Sequence, residues 1–109
     1  MTLENLLRIG KLRVHVADKD EIARLLTAAE RSLGDANVAC LSSDTRLDAA
    51  CKAIMQTALI AMLANGYRPA TSEAGHHQLL IQALPKTASI APDRVRVLDA
   101  YRAASVLSH

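Results

Sequence analysis

Phenylalanine and tryptophan are missing from these 109 residues, and Tyr67 and Tyr101 are the only aromatic side chains. A chain this poor in rings lacks the stacking platforms that single-strand nucleic-acid binders commonly use, although arginines can still hold phosphates. Only two cysteines occur, Cys40 and Cys51, without CxxC or zinc spacing, and no signal peptide marks an oxidising compartment. Two reduced thiols and a cytoplasmic location are expected, with Cys51 as a small core residue. The four glycines are scattered, so no phosphate-cradling loop is encoded and no cofactor is expected. No charge of one sign accumulates: 13 basic and 11 acidic residues leave a net +2, and the densest basic group, Arg8, Lys11 and Arg13, follows Glu4. That pattern is solvated surface rather than a footprint for a long nucleic acid. The apolar run from Ala58 to Ala64 is far short of the roughly 20 residues that span a bilayer, so no membrane partner is expected.

What is present is helix-forming. Half of the residues are apolar, mostly Ala, Leu, Ile and Val, enough for the core of one domain covering residues 1–109. Ala and Leu lose little side-chain entropy in a helix, and strand formers do not cluster. Leu3, Leu6 and Leu7 suit a short first helix that Gly10 weakens, and Arg13 to Ala17 reads as a connector. Asp18 can cap a second helix with Glu21 three positions later in the manner of a capping box. Ile22, Leu25, Leu26, Ala29, Leu33 and Ala36 then recur at helical spacing. After Val38–Leu41, a cap at Ser42, Ser43 or Asp44 opens a central helix through Leu47, Ala50, Cys51, Ile54, Ala58, Ala61 and Met62. Leu59, Ile60 and Leu63 widen its apolar surface, and Asn65-Gly66 ends it.

Tyr67-Arg68-Pro69 reads as a turn. Thr71 or Ser72 caps a fourth helix with Leu80, Ile81 and Leu84, which Pro85 stops. A loop from Lys86 to Ala91 precedes a last helix begun by Pro92, with Asp93 near its positive end and Val95, Leu98, Tyr101 and Ala104 on its buried side. No helix stop signal precedes His109. The expected fold is all-α: an antiparallel four-helix up-and-down bundle with a short extra N-terminal helix.

Two sets of residues are candidates for a site. His76 and His77 are adjacent, which sets them about 100° apart on a helix and argues against a shared metal; they are candidate ligand-binding residues. Arg102, Ser105 and His109 fall on one stripe of the last helix, with Arg102 and His109 about 20° apart in rotation and about 10.5 Å apart along the axis. A guanidinium beside an imidazole can cleave RNA without metal. The imidazole moves the 2′-hydroxyl proton and the guanidinium neutralises charge on the phosphorane. The same stripe also serves solubility alone. A serine hydrolase is excluded, since no acidic partner or nucleophile elbow accompanies Ser105.

The order of these features resembles the HEPN superfamily, small helical domains often found beside minimal nucleotidyltransferases. The residues that carry the resemblance are Leu25-Leu26 and Ala29 leading to Leu33-Gly34-Asp35-Ala36, then Arg46-Leu47-Asp48-Ala49-Ala50, Gly66-Tyr67-Arg68, His76-His77 with Leu80-Ile81 and Leu84, and Leu98-Asp99-Ala100-Tyr101-Arg102. The resemblance implies a homodimer and a nucleotidyltransferase-type protein partner, a nucleotide or RNA. Active ribonucleases of the superfamily carry an Arg, usually followed by a polar residue, and a His separated from that Arg by four to six intervening residues on the last helix. Arg102 and His109 match that spacing at its long edge, whereas Ala103 replaces the polar residue and Ser105-Val106 stands where many relatives repeat Arg-Asn. The leading expectation is therefore a binding or interaction module. The alternatives are a metal-independent endoribonuclease of toxin–antitoxin type, with Arg102 on the phosphate and His109 as acid/base, and a purely structural dimerisation unit.

Overall fold

The computed structural model describes residues 2–70, 75–97 and 100, with the backbone alone at 75–78. Most of it is helical, and a two-stranded antiparallel sheet joins two segments that are far apart in sequence. Helix α1 (Leu3–Arg8) is capped by Thr2, whose Oγ1 accepts the Asn5 N–H at 3.1 Å. Gly10, at φ +81°, turns the chain into strand β1 (Leu12–Val14).

Helix α2 (Lys19–Ala36) starts where the cap signal places it, with Asp18 Oδ1 accepting the Glu21 N–H at 2.7 Å. Helix α3 (Ser43–Ala64) is capped by Ser42, whose Oγ accepts the Thr45 N–H at 3.2 Å. The two run antiparallel. Near the connector Arg46 Nε donates to the Ala36 carbonyl at 2.9 Å, and further along, buried Ser32 meets Gln56. With the Gln56 amide nitrogen facing Ser32, it donates to Oγ at 2.9 Å while the hydroxyl donates to the Ala28 carbonyl at 3.1 Å. Every polar group at this buried junction is then satisfied, as a helix–helix interface requires.

Asn65 and Gly66 end α3. The Gly66 N–H returns to the Leu63 carbonyl at 2.9 Å, and φ of +87° gives the left-handed conformation that glycine adopts without strain. Strand β2 (Tyr67–Pro69) follows and pairs with β1 in the register Leu12↔Pro69, Arg13↔Arg68 and Val14↔Tyr67. The ladder is closed by His15 N–H to the Gly66 carbonyl at 2.9 Å and by Ala70 N–H to the Lys11 carbonyl at 3.0 Å. The fold is mostly helical as expected, and the sheet corrects two local readings, since the connector at Arg13–Ala17 and the turn at Tyr67–Pro69 both contribute strand. Three-residue strands are too short to show an alternating pattern, and α2 and α3 separate them in the sequence.

Helix α4 (Gly75–Gln82) does not end at Pro85 as expected. The break comes at Ala83, and helix α5 (Leu84–Thr87) carries Pro85 in its first turn. Proline has no N–H to offer the Ile81 carbonyl, so the chain re-forms its bonds on Ala83, which accepts from Lys86 at 2.8 Å and Thr87 at 3.0 Å. Lys86 and Thr87 are therefore helical rather than loop. A sixth helical stretch runs through 92–97 from Pro92.

The core lies where the ribbon, α1 and these later helices meet the second half of α3. It joins Leu6 and Leu12 to Ala58, Met62, Leu80, Ile81, Leu84 and Val95, with Met62 and Ile81 fully buried. Asn65 Nδ2 donates to the Thr87 carbonyl at 3.0 Å and so ties the end of α3 to α5. Cys51 is buried in α3 and Cys40 is exposed in the connector. By length and composition α3 could cross a bilayer. In this fold it packs against α2, α4, α5 and β2.

Candidate functional site

Arg102, Ser105 and His109 lie outside the described residues. His76 and His77 stand at the start of the α4 backbone, and their side chains are likewise outside the description. The site is therefore built from the surfaces that the described residues form.

The most distinct of these is an apolar groove on the α2–α3 pair. Ala29 buries against α3, but its helical neighbours Leu26 and Leu33 remain 49% and 57% exposed. The α3 residues facing them are small at Ala50, Ala53 and Ala58, so the two helices do not fill the space between them. The result is an open groove of about 480 Å³, walled by Leu26, Leu33, Ala50 and Ile54 and closed at one end by Leu84 and Ile90. Glu30 is its one charged residue, and the Thr57 hydroxyl donates to the Ala53 carbonyl at 2.8 Å. Such a surface offers no nucleophile and no general acid–base pair. Its chemistry is burial of another apolar surface. Helical spacing predicts all of Leu25, Leu26, Ala29 and Leu33 to face inward, and it misses that alanines opposite leave two of them uncovered. Val38 and Leu41 in the connector are exposed as well.

A shallower hollow of about 330 Å³ lies along α2 between Arg24 and Arg31, over Ala23, Thr27 and Ala28. Near the start of α2, His15 Nε2 contacts both carboxylate oxygens of Glu21. Among the described residues, no group of three His, Cys, Asp or Glu side chains gathers in a way that could hold a metal.

The chain matches no family model, no curated protein and no solved structure.

Proposed function

We propose that this chain is a HEPN-like helical binding module, working as a cytoplasmic homodimer with a nucleotidyltransferase-type protein, a nucleotide or RNA as its partner. The family part of the reading rests on the ordered sequence features, from Leu25-Leu26 to Tyr101-Arg102, and on the largely helical fold. We also propose an antiparallel four-helix up-and-down bundle as the underlying architecture. The α2–α3 hairpin supplies two of its members, and α4 and the helix begun by Pro92 supply the others, with α1 as the short extra helix.

The observation that carries the dimer is the groove. Leu26 and Leu33 form a ridge beside a trough of matching apolar chemistry on the same surface. Two copies related by a two-fold axis can each seat that ridge in the other's trough, the self-complementary arrangement that an isologous contact needs. Sedimentation equilibrium tests this directly. The wild type should weigh as a dimer, and Leu26→Asp with Leu33→Asp should halve the mass while the helical circular dichroism signal persists. A wild type that stays monomeric at high micromolar concentration overturns the dimer.

A further inference from the structure

The β1–β2 ribbon assembles cations that the sequence holds apart. Side chains alternate across a strand, so Leu12 and Pro69, both buried, take one face of the ribbon. Lys11, Arg13 and His15 take the other face together with Gly66, Arg68 and Ala70. Arg13 stands directly opposite Arg68 in the register. Like charges at such a position repel one another, and among the described residues no carboxylate neutralises them. Among the described residues no carboxylate lies within 4.0 Å of Lys11, Arg13 or Arg68, and Arg68 Nη1 reaches only the Pro69 carbonyl at 3.5 Å. Glu21, at the His15 end of the ribbon, is engaged by His15.

We propose that this outer face of the ribbon binds the phosphodiester backbone of a nucleic acid, a deepening that rests on the reading of the chain as a binding module with RNA among its partners. Paired guanidiniums suit the tetrahedral oxygens of a phosphate, which accept from planar N–H forks. Lys11 adds a third charge about 7 Å along the strand from Arg13. Gly66 and Ala70, on the same face, are small and allow a backbone to approach closely. An acidic protein fits less well. A stable protein interface needs apolar anchors at its centre, and this face has none. The exposed Val14 belongs to the opposite face of β1, and Ile9 and Val16 lie outside the strands. A lipid surface would require insertion of apolar side chains or a larger cluster of cations. The footprint is small, which agrees with a net charge of only +2. The one ring on the face, the imidazole of His15, is engaged by Glu21, and no Phe, Tyr or Trp stands there to stack bases, so recognition is of phosphate and not of sequence.

Fluorescence anisotropy at low salt tests the proposal, using the full chain with labelled oligouridylate, oligothymidylate and a polyglutamate peptide of equal charge. The two oligonucleotides should bind with affinities within a few-fold of each other. Affinity should fall with salt at a log–log slope of about −2, the value for three cations on a single strand. Arg13→Glu with Arg68→Glu should weaken binding at least about tenfold, as expected when two phosphate contacts are reversed in sign. Arg24→Glu with Arg31→Glu makes the same charge change on α2 and should leave binding within about twofold if the contact is local rather than global. Absence of oligonucleotide binding, equal loss in the α2 variant, or equally tight binding of polyglutamate would each overturn the assignment. Sedimentation mass is read on the same samples. A dimeric wild type that fails to bind either oligonucleotide therefore counts against the ribbon alone, whereas a monomeric wild type counts against the dimer alone.

Discussion

His15 Nε2 lies 2.6 Å from Oε1 and 3.0 Å from Oε2 of Glu21, so the carboxylate that the capping pattern directs toward Asp18 is turned instead to an imidazole at the end of the ribbon. The Asp18 half of the box is kept, since its side chain accepts the Glu21 N–H. The His15 backbone N–H meanwhile holds the Gly66 carbonyl at the end of α3. One residue thus ties the start of α2 and the end of α3 to the ribbon. Both side chains are close to 30% exposed, so solvent screens the pair and its coupling should be about 0.5–1 kcal/mol. A double-mutant cycle of His15→Ala and Glu21→Ala in urea unfolding measures that coupling. Strict additivity of the two losses would show that the contact contributes nothing.

The binding-module reading expects no cleavage of RNA. Purified protein incubated with RNA in EDTA should leave it intact, because, on the proposed HEPN resemblance, Ala103 stands where the active ribonucleases carry a polar residue after the Arg. Gel electrophoresis over a time course decides the matter. Cutting that disappears in both Arg102→Ala and His109→Ala would instead establish the endoribonuclease, with the guanidinium on the phosphate and the imidazole as acid/base.

If two copies cover the α2–α3 groove, heat stability depends on protein concentration. The unfolding midpoint of the wild type should rise as concentration is increased, because mass action favours the associated folded state. In Leu26→Asp with Leu33→Asp the midpoint should be independent of concentration. Differential scanning calorimetry over a hundredfold dilution series, about 2.7 kcal/mol of mass-action stabilisation at the upper limit, reads the difference. A concentration-independent wild type would contradict the dimer.

The helix punctuation was legible because it depends on neighbours in the sequence. Asp18, Ser42, Asn65-Gly66 and Pro92 each act through backbone groups one to four positions away, and each stands where the spacing places it. Features that depend on distant partners were not legible. Neither Leu12–Val14 nor Tyr67–Pro69 has any strand character until the other lies beside it, so the Arg13–Arg68 juxtaposition has no signal in either segment alone. Leu26 and Leu33 carry a strong helical period, but their exposure is set by the size of Ala50 and Ala53 on another helix. At Pro85 the local rule was right about the broken bond and wrong about its consequence, because Ala83 begins a new turn immediately. The Arg102–Ser105–His109 stripe lies outside the described residues and gains nothing from the fold.

Two glycines give a paired test of the helix ends. Gly66 follows the C-cap of α3 at φ +87°, and a Cβ placed there meets nothing within 4 Å. The cost of Gly66→Ala is therefore conformational rather than steric crowding by other residues, and should be about 1–2 kcal/mol for forcing an L-residue into the left-handed region. Gly34 lies in the last turn of α2, where a Cβ also meets nothing. Here the backbone is helical, so Gly34→Ala should stabilise by about 0.4–1 kcal/mol by removing freedom from the unfolded chain. Urea unfolding of the two variants should move the midpoint in opposite directions. A Gly66→Ala midpoint equal to that of the wild type would mean that the left-handed cap does not persist in solution. In that case the Gly66 carbonyl that anchors His15 and the β1–β2 ladder would also lose its fixed position.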